Sequence, residues 1–153
     1  VLDDLARNLG DAVSLVMLDR HRLFIAERAE AQVVLRADLR VGSELSYKDS
    51  ASGGIWLAFG PEGLAERARG AGERLPSKAL IEKVRAEAVS IGGGGRTLPG
   101  IGAMAVPVLD IDGQCLASLS VSSPEARFNP ARFLPLLRKG AERLARLHRG
   151  LPS

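Results

Sequence analysis

The chain has 153 residues, 46% hydrophobic and 25% charged, with a formal net charge of +3. That is the size and composition of one ordinary globular domain, able to bury roughly two-thirds of its unfolded surface, and it argues against a disordered or low-complexity segment. No apolar run approaches the roughly 20 residues that span a bilayer, the single cysteine cannot close an internal disulfide, and no set of Cys and His has metal-ligand spacing.

Leu2, Leu5, Ala6 and Leu9 recur at helical spacing behind Asp3 and Asp4, which predicts a short amphipathic helix stopped by Gly10 and not a signal peptide. AVSLVML (12–18), the polar Asp19-Arg20-His21-Arg22 and LFIAERAE (23–30) predict a β-hairpin, and QVVLRADL (32–39) a third strand closed by Val41-Gly42. The period then changes. Serines around Ser50 and Ser52 suit the N-terminus of a helix running into IWLAF (55–59), and the paired Gly53-Gly54 suggests close backbone approach there or a nearby ligand. A short helix around 62–70 is followed by KALIEKVRAEAV, capped by Ser77, with Leu80, Ile81, Val84 and Val89 on one stripe.

The run Gly92–Gly95 is expected to be irregular because of its entropic cost. AMAVPVLDI (103–111) and QCLASLSVSS (114–123) form a second hairpin about Asp112-Gly113, read as a two-residue turn. Pro107 demands an edge position or a bulge. A last helix runs from Pro130 to about His148, with Phe133, Leu137, Ala141, Leu144 and Leu147 on one side. Helix, three strands, helical middle, two strands and helix make an α+β fold: an antiparallel sheet with the terminal helices on one face. Residues 42–100 would roof the other face, where a small-molecule cavity would form.

Nothing in the chain assembles a catalytic group. Cys115 alternates with Ala117, Leu119 and Val121 and reads as a packing thiol on their face. His21 and His148 lack companion acids, Asp110 and Asp112 suit an Asx turn, and there is no nucleophile elbow or phosphate loop. Basic residues are 17 Arg against 4 Lys, densest from Arg132 to Arg149, but on an amphipathic helix and without an aromatic ladder, so solvated, ion-paired charge is preferred to nucleic-acid contact. The informative pattern is Ser118, Ser120 and Ser122, which project together from the face opposite Ala117, Leu119 and Val121. They are either a solvent-facing row or the polar stripe of a cavity, with Ser50 and Ser52 at a helix start as a second anion-friendly point.

Two stretches resemble the C-terminal domain of IclR-type transcription regulators. VGSELSYKDSASGGIWLAF (41–59) is similar to that family's glycine, small-residue and leucine-alanine segment. GIGAMAVPVLDIDGQCLASLSVSSPEARF (100–128) is similar to its closing hairpin, in which a serine-rich strand ends in proline and arginine. The resemblance covers the whole chain. It implies a GAF-like effector-binding domain over residues 1–153, the winged helix-turn-helix that normally precedes it being absent from this chain. It also implies a cytoplasmic homodimer or tetramer sensing a small organic acid, often an aromatic or short-chain carboxylate. DNA would be reached only through the missing N-terminal domain. No enzyme activity, metal, cofactor or membrane contact is expected.

Carried over by position, the effector pocket takes Ala51 and Ser52 from the helix start, Ala103 from the first hairpin strand and Ser120 and Ser122 from the second. Leu45 and a residue near Val34 supply apolar wall. The backbone N–H groups of 51 and 52, with the two hydroxyls, would hold a carboxylate. The chain departs from the pattern at Ser46, Lys48 and Gly54, where relatives carry proline, histidine and lysine. It departs again at Gly92–Gly95, in place of a polar or acidic residue, and at Ala103, in place of a cysteine found in some members. These small side chains point to a bulkier or more apolar ligand than a keto acid. The alternatives are a freestanding GAF-type sensor acting on a partner other than DNA, and a small redox enzyme, which the lone cysteine disfavours.

Overall fold

The computed structural model describes residues 1–31, 40–94 and 98–152. Helix α1 (Leu2–Leu9) is followed by strands β1 (Ala12–Asp19), β2 (Arg22–Ala29) and the short β3 (Glu44–Leu45). Helices α2 (Ala51–Phe59), α3 (Leu64–Gly70) and α4 (Lys78–Glu87) come next, then β4 (Ser90–Gly94), β5 (Leu98–Leu109), β6 (Cys115–Pro124), a 3-10 turn and α5 (Pro130–His148). The strands form one antiparallel sheet in the order β3-β2-β1-β6-β5-β4. The α+β class and the assignment of one sheet face to the terminal helices agree with the sequence. The strand expected at 32–39 lies outside the described residues.

The outer face carries the larger core. Leu2, Leu5 and Leu9 of α1 and Phe133 and Leu137 of α5 pack on Val13, Met104, Val106, Leu119 and Val121. Gly140 allows α5 to approach α1 closely, since a Cβ there would lie 2.8 Å from a Leu5 methyl. The C-terminal arginines serve this packing. Arg132 donates to the carbonyls of Asn8 (2.6 Å) and Leu9 (3.0 Å), which α1 leaves without intrahelical donors. Arg127 pairs with the buried Asp11, and Arg138 donates to the Glu87 carbonyl. On the last helix the expected stripe is buried at Phe133, Leu137 and Ala141 but runs out to solvent at Leu147. Leu80, expected inside, is likewise exposed, and α4 buries only Val84 fully.

Three expectations are corrected. Gly92 to Gly94 are not irregular but belong to β4, pairing with β5 across Gly92↔Ala103 and Gly93↔Gly102. The second hairpin turns through three residues: Asp110 N–H donates to the Gln114 carbonyl, and Gly113 takes the left-handed conformation (φ 82°). Asp110 Oδ1 accepts from the N–H groups of Asp112 and Gln114, an Asx turn as expected. Pro107 sits on an interior strand, yet β4 ends opposite Ala105, so its missing N–H costs no ladder bond on that side. The third correction concerns Cys115. β6 carries one extra residue where Val108 faces Ala117 and Leu109 faces Cys115, which inverts the alternation. Cys115 therefore packs among Val16, Trp56, Ile55 and Ala105 on the inner face, opposite to Ala117.

Candidate functional site

Helix α2 is seated on the inner face by its own sequence. Ser50 caps it, its Oγ accepting from Gly53 N–H at 3.1 Å. Gly53 lies where a Cβ would come within 2.1 Å of the Tyr47 carbonyl oxygen, and Gly54 where one would meet Ser90 Oγ at 2.7 Å. The close approach expected of the glycine pair is thus present. Trp56 fixes the other end, its Nε1–H donating to the Val16 carbonyl at 3.1 Å.

Below α2 the sheet presents three cross-strand rows of side chains. The first is Val16 beside Ser118, whose hydroxyl donates to Ser52 Oγ of α2 at 2.8 Å with both residues buried. The second runs Arg28, Ser14, Ser120, Ala105 and Ser90 from β2 to β4. The third runs Ala12, Ser122, Ala103 and Gly92. Because Gly92 has no side chain, β4 lies against the first turn of α2; a Cβ there would sit 3.0 Å from Ala51 N.

Five of the six residues named from sequence therefore meet around the α2 N-terminus. Ala51 and Ser52 are buried there, Ser120 is 8% exposed, and Ser122 and Ala103 face one another, half-buried, in the neighbouring row. Leu45 lies apart, on β3 opposite Leu23, against the cluster containing Trp56 and Tyr47. The residue near Val34 is outside the described residues. Among the described residues, the N–H groups of Ala51 and Ser52 and the hydroxyl of Ser120 have no protein acceptor. Sequence reasoning missed Ser14 and Arg28. Ser14 was visible as the one polar residue in an apolar run at even spacing with Val16 and Leu18. Arg28 was hidden: Ala26 is an extra residue in β2, so Leu23 and Ile25 face inward, Ala29 outward, and Arg28 inward beside Ser14.

The described residues hold no group of three His, Cys, Asp or Glu side chains able to bind a metal. Burial pushes the Cys115 thiol up to about 12 and the Tyr47 phenol likewise to about 12. Both groups hold their protons more tightly in the fold, so the stability this contributes is complete below the unfolded values of 9.0 and 10.0 and lost as pH rises toward 12. Urea midpoints should accordingly fall between about pH 9 and 12, and Cys115→Ala should remove the earlier part of that decline. Iodoacetamide at pH 8 should label Cys115 far more slowly in native than in denatured protein; equal rates would contradict a buried thiol.

The sequence model of the family described as "Bacterial transcriptional regulator IclR C-terminal" matches residues 1–146. The chain belongs to the IclR family. It is 28% identical over 160 residues to the probable transcriptional regulator SauR of Cupriavidus necator, across 95% of this chain and 63% of that protein. The chain thus spans about two-thirds of the length of this curated relative. Its fold is that of the Thermotoga maritima IclR structure (TM-score 0.81, 23% identity, 95% of this chain and 64% of that one). It also matches a double mutant of the inducer-binding domain of the PobR transcription factor from Acinetobacter, in complex with 3-hydroxybenzoic acid (TM-score 0.74, 23% identity, 95% of each chain). These relatives are transcription regulators and not enzymes. Two positions that the sequence resemblance marked as departures have local consequences. Ser46 caps the turn into α2 by accepting from the N–H groups of Lys48 and Asp49, and Gly54 makes room for Ser90. Among the described residues no helix is long and apolar enough to cross a membrane.

Proposed function

We propose that residues 1–153 are the effector-binding domain of a bacterial transcription regulator and that the effector is a small organic acid held on the inner face of the sheet. Its carboxylate accepts hydrogen bonds from Ser120, Ser122 and the N–H groups of Ala51 and Ser52. The observation that carries this reading is Ser120: a residue 8% exposed whose hydroxyl has no partner among the described residues, near the first turn of α2. The 3-hydroxybenzoic acid bound by the double-mutant PobR domain supports an aromatic acid. The domain works as a cytoplasmic homodimer or tetramer. The effector binds one subunit arrangement better than another, and that population shift reaches DNA through α1 and a DNA-binding segment joined to it.

A thermal-shift series with benzoate, 3-hydroxybenzoate, pyruvate and glyoxylate tests this. An acid at 100 times its Kd stabilises by about 2.7 kcal/mol, which for a domain of this size raises the melting midpoint by roughly 5–10 °C. The aromatic acids should give that shift and Ser122→Ala should reduce it. A shift with glyoxylate or pyruvate alone would overturn the aromatic assignment, and no shift with any acid would overturn the acid-sensor reading.

A further inference from the structure

Hydrogen-bond donors are concentrated in the middle cross-strand row of the inner face, toward β2. Arg28 Nη1 donates to Ser14 Oγ at 2.9 Å and its Nε to Glu30 Oε2 at 3.0 Å, which fixes the guanidinium in direction. The Arg28 side chain is only 14% exposed, whereas Glu30, which accepts from Nε, is 36% exposed. Ser14, 4% exposed, has its oxygen occupied by Arg28 and keeps its proton to donate. Ser120, its register neighbour, is the unpartnered buried hydroxyl described above. Beyond its bonds to Ser14 and Glu30 the Arg28 guanidinium keeps further N–H groups, beside two buried O–H donors that have no acceptor among the described residues, and a buried guanidinium favours an oxygen group able to take paired hydrogen bonds.

We propose that Arg28 and Ser14 bind a second oxygen acceptor of the effector, a carboxylate or hydroxyl, so that the domain selects acids with two polar ends. This rests on the acid-sensor reading and narrows it. The first carboxylate sits at the α2 end with Ser120 and Ser122 of β6, and the second acceptor at Arg28 of β2 and Ser14 of β1. Strands β2 and β6 are two spacings apart, about 10 Å between main chains, part of which the Arg28 side chain spans to reach Ser14. The remainder suits a compact two-ended molecule such as a hydroxybenzoate or a benzene dicarboxylate, and is too wide for glyoxylate to bridge.

Calorimetric titration of the wild-type chain, Arg28→Gln, Arg28→Lys and Ser14→Ala with benzoate, 3-hydroxybenzoate and isophthalate decides the matter. In the wild type the two-ended acids should bind at least about tenfold tighter than benzoate, the scale of one charge-assisted hydrogen bond. Arg28→Gln should abolish that advantage while leaving benzoate within about twofold, Arg28→Lys should keep part of it for isophthalate, and Ser14→Ala should reduce it. Equal losses for all three acids, or no advantage of the two-ended acids in the wild type, would overturn the second anchor. Benzoate binding that needs Ser122 but shows no dependence on Arg28 would leave the sensor reading standing and remove this one. Failure of all three acids on the wild type would remove both. Should Arg28→Gln fail to fold, the lysine and Ser14→Ala variants answer the same question.

Discussion

Gly53→Ala should destabilise the domain by about 3 kcal/mol or more, lowering the melting midpoint by roughly 6–12 °C, and should abolish acid binding. The added methyl would lie 2.1 Å from the Tyr47 carbonyl oxygen and 2.6 Å from its carbonyl and α carbons. These are main-chain atoms, which cannot rotate aside, and Tyr47 is itself 1% exposed with its hydroxyl donating to the His21 carbonyl at 2.6 Å. Relief must come from lifting the first turn of α2 away from the sheet, which separates the N–H groups of Ala51 and Ser52 from Ser120 and Ser122. Gly70→Ala is the matched control: its methyl meets nothing within 4 Å, so it should be neutral or stabilise slightly by restricting the unfolded chain. Urea denaturation of both variants gives the answer, and a Gly53→Ala protein within 1 kcal/mol of wild type would refute the seating of α2 on Tyr47.

The second large effect belongs to Trp56, the other attachment of the same helix. Trp56→Ala removes a side chain 4% exposed from the cluster with Val16, Leu23, Ile25 and Leu64, a deletion that costs about 3–5 kcal/mol or roughly 6–20 °C in midpoint. Trp56→Phe separates the two contributions. It keeps most of the apolar volume but removes the donor to the Val16 carbonyl, and should cost about 1–3 kcal/mol. Equal losses in the two variants would mean that the hydrogen bond and not the packing holds α2 down. Thermal melts followed by far-UV circular dichroism distinguish these outcomes.

Local signals that needed no phase were legible in the sequence. Helix α5 spans Pro130–His148 as read, because Asn129 accepts from Arg132 N–H at the start and Pro130 occupies the first turn, where its missing N–H is harmless. The serine row on β6 was readable because Ser118, Ser120 and Ser122 lie on one unbroken stretch of strand. Periodicity failed at the two extra residues. One, in β6, put Cys115 on the wrong face, and the other, Ala26 in β2, concealed Arg28. An alternating pattern holds its phase only until the first bulge, and nothing local marks either one. Strand β4 was lost for a different reason: glycines with poor strand propensity are used there because β4 must lie against α2, a requirement visible only in three dimensions. Leu45 illustrates a further limit, since its apolar character was readable but its position beside Leu23 depended on which strand β3 would join.

The sheet order also governs how the chain can fold. Its central seam joins β1 to β6, with Ala12 opposite Ser122, more than a hundred residues apart along the chain. Closing so long a loop is slow, and the contacts that reward it come late. At about 5–20 residues per second of synthesis, the β1–β2 hairpin waits roughly 5–20 s for its inner partner to be made. During that time Val13, Val16 and Leu15 present an uncovered strand edge that can pair with other nascent chains. The inner edge of β1 therefore has no partner strand until residues 115–124 have been made.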